Sequence, residues 1–169
     1  MCKSPYWNKP KRKLDPKRID ELTKTIIAVH KDIIDTSGGE HGVRDKGGVY
    51  FSTYSLLNYI TKHSTEPTKL GAFVYEEFAK KHHFMDGNKR TAHVVSKIIM
   101  LLHRCHFKIE YSKALPFILK IAKYNSEIKF KDINEWLDKN CEIIEEKDIT
   151  TYLNNVLVDL VLEEENENN

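Results

Sequence analysis

The stretch from His82 to Cys105, HHFMDGNKRTAHVVSKIIMLLHRC, decides the fold. Its later part carries Ala92, Val94, Val95, Ile98, Ile99, Leu101 and Leu102, which are apolar on nearly every side of a helix. A helix apolar all round belongs in the interior of a domain. Asp86-Gly87-Asn88 in the earlier part is a turn sequence. The central helix is therefore predicted to begin at about Asn88, with the rest of the chain packed around it.

Toward the N-terminus the periodicity stays helical. Leu70, Phe73, Val74, Phe78 and Ala79 recur at helical spacing up to His82, and Glu66-Pro67 interrupts the chain ahead of them. A first helix is expected from Pro16 to about Thr36, with Ile19, Leu22, Ile26, Ile27, Val29, Ile33 and Ile34 facing inward. Ser37-Gly38-Gly39 ends it. A loop from Glu40 to Gly48 follows, and five of the seven glycines lie between positions 38 and 48. That stretch turns tightly or lets something approach its backbone. Val49–Tyr54 reads either as a short strand or as the lead into a helix. Toward the C-terminus, Phe107–Tyr111 reads as extended. Three more helices are predicted, over Lys113–Lys123, Phe130–Cys141 and Ile149–Leu162. The fold class is all-α, a single helical domain over 17–162. A basic extension (1–16) precedes it and an acidic tail (163–169) follows it.

Composition narrows the function. At 169 residues, with 40% hydrophobic and 31% charged residues, the chain suits one globular domain. No apolar run approaches the roughly 20 residues that span a bilayer, and the first residues lack the apolar core of a signal peptide. The expected location is the cytoplasm, with no membrane partner. Three scattered cysteines argue for reduced thiols rather than a disulfide framework. A net charge of +2 implies no nucleic-acid partner. The basic run Lys9–Arg18 holds no interleaved aromatic residue, so direct nucleic-acid binding is not expected.

The chemistry concentrates where the central helix opens. The first N–H groups of a helix lack intrahelical acceptors and its dipole is positive there, so that end binds phosphate. Lys89 and Arg90 add two cations in the first turn, where they are unfavourable without an anion to offset them. Asp86 is a hard oxygen ligand suited to Mg²⁺ shared with phosphates. His82 is an imidazole able to accept a proton from an attacking hydroxyl near neutral pH. Phe84 is expected to be buried and to anchor the loop. Each residue alone has a bland reading as a turn or surface residue. Their combination is the set needed for phosphoryl or nucleotidyl transfer.

The segment His82-His83-Phe84-Met85-Asp86-Gly87-Asn88-Lys89-Arg90 resembles the signature of the Fic/Doc family, His-x-Phe-x-(Asp/Glu)-Gly-Asn-x-Arg. Gly38-Gly39-Glu40-His41-Gly42-Val43-Arg44-Asp45 resembles the GGxxGxRD loop of death-on-curing (Doc-type) members. The resemblance implies a helical fold and a catalytic set of His82, Asp86 and Arg90. His82 would be the base, Asp86 the Mg²⁺ ligand, and Gly87, Asn88, Lys89 and Arg90 the phosphate binders. The implied cofactors are ATP or another nucleoside triphosphate and Mg²⁺. His83 fills a variable position with no assigned role. Lys89 stands where Fic nucleotidyltransferases usually carry glycine, and His93 where they carry a second arginine, which removes one phosphate-binding charge.

Asn88-Lys89-Arg90-Thr91-Ala92 is similar to the Doc branch. That similarity implies a toxin kinase acting on a Ser/Thr hydroxyl of a protein, with the translation elongation factor as a candidate. It also implies a separate antitoxin as partner. Two alternatives stay open: AMP or nucleotidyl transfer to Ser, Thr or Tyr, and a catalytically silent nucleotide- or partner-binding protein. Only Thr36 has a glutamate four residues on, Glu40, and the glycines between them argue against an inhibitory helix of the (Ser/Thr)-xxx-Glu type. Weaker signals remain. His103, Cys105 and His106 form a poor candidate zinc group. Glu76 and Glu77 are expected to face solvent. Tyr50, Phe51 and Tyr54 read either as a flap that docks a target or as core. The Ile149–Val161 stripe reads as core or as a dimer seam.

Overall fold

The structure, a computed structural model, describes residues 14–156. The basic residues up to Lys13, Cys2, the acidic tail and the stripe residues Leu157, Leu160 and Val161 lie outside the described residues. Among those described, seven α-helices and one two-stranded sheet make up the fold. The all-α expectation holds.

Helix α1 spans Pro16–Ser37; Asp15 caps it by accepting from the Lys17 N–H at 3.0 Å, and Pro16 occupies its first turn. Helix α2 spans Lys46–Lys62. The ambiguous Val49–Tyr54 segment therefore lies inside a helix, not a strand. The cap decides this, since the Asp45 carboxylate accepts from the Gly48 N–H at 2.7 Å and draws both glycines into the first turn. Helix α3 spans Pro67–Val74 and runs on through a π-helical segment, Tyr75–Ala79. The wider π turn keeps Tyr75, Phe78 and Ala79 all buried.

Helix α4 spans Asn88–Leu102 and is the interior helix. Its buried residues include Asn88, Thr91, Ala92, Val94, Val95, Ile99, Met100 and Leu101. The apolar reading overreaches at one place: Leu102, in the last turn, is exposed. Helix α3 lies close against α4, because a Cβ at Gly71 would stand 2.7 Å from Met100 Sδ and 2.8 Å from Ser96 Oγ. Strand β1 (Cys105–Phe107) pairs antiparallel with β2 (Cys141–Ile143), Phe107 opposite Cys141. The second strand departs from the expected helix over Phe130–Cys141, which ends at Lys139 and leaves Cys141 to pair with Phe107. Helices α5 (Tyr111–Ala122), α6 (Phe130–Lys139) and α7 (Ile149–Asn155) complete the described chain. The main core gathers Ile26, Leu56, Leu70, Phe78, Phe84, Met100, Phe107, Ile118 and Leu137 around α4. None of the described helices is long and apolar enough to cross a membrane.

Candidate active site

Two loops build the site, and the chain brings them together by backbone hydrogen bonds. The Arg44 and Asp45 N–H groups donate to the His83 carbonyl at 2.8 and 3.0 Å, and the Met85 N–H donates to the Gly42 carbonyl at 3.0 Å. Val43 and Phe84 form an isolated antiparallel bridge. The glycine-rich segment and the His82–Arg90 segment are thus neighbours in space, although about 40 residues of helical chain separate them.

Inside the motif, Asn88 acts as a clamp. Its side chain accepts from the Phe84 N–H and donates to the Phe84 carbonyl, both at 3.0 Å, in a buried setting. Phe84 is fully buried and stacks on the His30 ring, with centroids 3.8 Å apart. The loop is therefore pinned from both sides before the helix begins. Gly87 follows in the left-handed region at φ 68°, and a Cβ there would press on Ile34 Cδ1 at 2.8 Å. This turn sets the start of α4 against a cleft of about 450 Å³. His82, Asp86, Gly87, Lys89 and Arg90 line one side of the cleft; Tyr111, Leu115 and Leu119 of α5 line the other.

His82 is exposed and sits at φ 41°. For a residue with a side chain that conformation costs about 1–3 kcal/mol, and such strain clusters at functional sites. The neighbouring His83, expected to have no role, is the residue that holds it. His83 is buried, its Nε2 lies 2.9 Å from Ser52 Oγ, and Ser52 donates to Glu77 at 2.7 Å. This network ties α2, the π segment and the motif loop together. It also corrects the expectation for Glu77, whose side chain is only 14% exposed.

Asp86 points into the cleft with its carboxylate half exposed. Its pKa lies below the usual carboxylate range, first because the Gly87 N–H donates to it, then through the Arg90 charge and the Glu40 N–H. It is thus an ionised hard oxygen donor, the type that fits Mg²⁺. Among the described residues no group of three His, Cys, Asp or Glu side chains is placed to hold a metal. A cation at Asp86 would take its remaining ligands from phosphate and water, as Mg²⁺ commonly does.

Arg90 is divided between two tasks. Its Nη1 donates to the carbonyls of Ser37 and Gly38, both at 2.8 Å, and to Ser37 Oγ. These are carbonyls left open where α1 ends. Its Nη2 stands 3.5 Å from Asp86 and borders the cleft. His93, where the second arginine was missing, is buried and lies 2.7 Å from the Tyr75 hydroxyl through Nδ1. Burial pushes its pKa well below the ordinary value, so it supplies no charge.

Besides Ser52, the sequence reading passed over His30 and Ser37. His30 is buried under the turn; its Nδ1 meets Thr91 Oγ1 at 3.0 Å, and Cε1 lies 3.5 Å from where a Gly87 Cβ would be. Burial, then the Arg90 charge, lowers its pKa to about 4. The missed signal is the buried stripe of α1 itself: Ile19, Thr23, Ile26, His30, Ile33 and Ser37 follow at alternating spacings of four and three. The weaker signals resolve differently. His103 Nδ1 lies 2.9 Å from the Ile99 carbonyl, Cys105 is buried in β1, and His106 stacks on Tyr152. Tyr50, Phe51 and Tyr54 are exposed on α2 and are not core.

Fold and site together define a helical protein in which a cleft at the start of its interior helix gathers a carboxylate, a guanidinium and an exposed imidazole. Residues 19–100 match the model of the Fic/DOC family. The matched span reaches from α1 to the last turns of α4 and contains both motif segments. The match supports the Fic/Doc family, whose members in general transfer nucleotide or phosphate groups to proteins. No curated protein matches the chain.

Proposed function

We propose that this chain is a Doc-like kinase that transfers the γ-phosphoryl group of ATP, or another nucleoside triphosphate, to a Ser or Thr hydroxyl of a protein. The observation that carries this reading is Lys89 in the first turn of α4, lining the cleft beside Gly87. A glycine there would let phosphates lie flat on the backbone. A lysine closes that approach and offers a point charge instead, favouring a displaced triphosphate with its terminal group toward His82.

In this reading His82 takes the proton of the acceptor hydroxyl as its oxygen bonds to the γ-phosphorus and the bond to the β–γ bridging oxygen breaks. The opening N–H groups of Asn88 and Lys89 would hold phosphate oxygens, joined by the Gly87 N–H and Arg90 Nη2 as phosphate takes over from Asp86 as their partner. Mg²⁺ at Asp86 would supply charge neutralisation on the phosphates. The apolar wall of Tyr111, Leu115 and Leu119 suits the nucleoside.

The proposal includes a cytoplasmic setting, the translation elongation factor as a target, and restraint by a separate antitoxin. Helix α1 ends at Ser37 and Gly38 turns away at φ 70°, so Glu40 sits in a loop and not on an inhibitory helix. Incubating the protein and candidate targets with γ- or α-labelled ATP tests the chemistry. Label from the γ position only, lost in His82→Ala with nucleotide binding retained, is the expected result. Label retained only from the α position would replace the kinase reading with AMP transfer.

A further inference from the structure

His82 borders two hollows, not one. Besides the large cleft, a separate cavity of about 220 Å³ is lined by Lys80, His82, Ala122, Lys123, Tyr124 and Ser126. The two share His82 as their only common wall residue. The acceptor hydroxyl must lie within reach of both the imidazole and the γ-phosphorus, so the segment that carries it has to run out of the phosphate cleft past His82. The first hollow holds the helix end, Asp86 and Arg90, and the second adjoins it across His82.

The lining of the second hollow is cationic and aromatic. Lys80 and Lys123 contribute ammonium groups, and no Asp or Glu lines it. Lys80 is partly neutralised by Glu76 at 3.0 Å, while Lys123 forms no ion pair among the described residues. Tyr124 is fully exposed, which leaves a rigid ring face free for contact. The wall is a firm one: Ser126 Oγ donates to the Lys120 carbonyl at 2.7 Å and accepts from the Ile128 N–H at 3.2 Å, fixing the turn that carries Tyr124.

We propose that this hollow receives the acceptor segment of the modified protein and selects one with an acidic residue close to the accepting hydroxyl. The inference rests on His82 being the base of the proposed transfer. Lys80 and Lys123 would meet the flanking carboxylate and Tyr124 would pack against the peptide backbone. Charge pairs of this kind set specificity more than total affinity.

The test uses the full chain and short serine peptides flanked by aspartate or by lysine, read by fluorescence anisotropy without any need for turnover. The expected result is a preference of about tenfold for the acidic peptide, inverted in the double variant Lys80→Glu/Lys123→Glu. Inversion, rather than loss, also shows that the variant is folded. Equal binding of the two peptides by the wild type, or a preference unmoved by the double reversal, would overturn the assignment. So would competitive displacement of the peptide by ATP, which would give the hollow to the nucleotide. Failure of the transfer reading looks different: no His82-dependent labelling, with the peptide preference intact.

Discussion

Acidification should weaken this fold through His30, and a single substitution isolates the effect. His30 is 3% exposed, stacked on Phe84, and holds a pKa of about 4 against an ordinary 6.5. In the unfolded chain the imidazole binds its proton at the ordinary value. Between those two pH values the unfolded state therefore binds more protons, and stability rises with pH. The contribution is fully present above about pH 6.5, declines as pH falls toward 4, and changes no further below that. A displacement of roughly 2.5 pH units at about 1.4 kcal/mol each gives about 3 kcal/mol over the window.

His83 and His93 are also held neutral by burial, and carboxylates titrate at the lower end, so the wild-type curve alone mixes several groups. His30→Phe separates them. Phenylalanine keeps the stack on Phe84 and loses the contact with Thr91, a deficit that does not depend on pH. Urea unfolding of both proteins between pH 7.5 and 4 is the assay. The wild type should be the more stable at pH 7.5, and its lead should shrink and reverse as pH falls, by about 3 kcal/mol in all. Parallel curves would refute the claim that the motif turn rests on a buried neutral imidazole.

Two further substitutions probe the parts that shape the site. Asn88→Ala removes both hydrogen bonds to the Phe84 peptide and leaves that buried N–H and carbonyl without their partners. It should cost about 2–4 kcal/mol in denaturant unfolding and abolish nucleotide binding measured by calorimetry; a loss under about 0.5 kcal/mol would mean the loop is held by other means. Gly39→Ala tests the contact between the two motif segments. Its Cβ would stand 2.5 Å from Asp86 Oδ2 and 3.0 Å from Arg90 Nη2, at φ 116°. The Mg²⁺ concentration for half-maximal transfer should rise several-fold, and an unchanged Mg²⁺ titration would separate the glycine-rich loop from the metal ligand.

The central helix and the motif residues along the cleft were legible because their signals are local, whereas Tyr111, Leu115 and Leu119 of its other wall were not. Periodicity placed α4, and the dipole at a helix end explained why Lys89 and Arg90 follow a turn with a carboxylate in front of it. What supports those residues was not legible, because it comes from elsewhere in the chain. Nothing beside Ser52 marks it as a partner of His83, and nothing beside Ser37 marks it as the place where Arg90 binds. An apolar count of α1 picked Leu22 and Val29, which are only half buried, and passed over Thr23, His30 and Ser37, which are buried. Polar residues that continue a buried stripe are the readable trace of a partner across the core, since burial without one is costly.

That pattern bears on why His82 can hold its strained backbone. A φ of 41° does not persist unless its surroundings over-determine it. Here the next two residues are both fixed: the His83 carbonyl takes two N–H donors from the Arg44–Asp45 loop, its ring meets Ser52, and Phe84 is clamped by Asn88. Each of these anchors is buried or belongs to backbone, and of them only Asn88 borders the cleft. The imidazole between the two hollows is thus positioned in part by Ser52 and the Arg44–Asp45 loop, which line neither hollow. Substitutions at Ser52 should therefore reduce turnover while leaving the opening of α4 as it is.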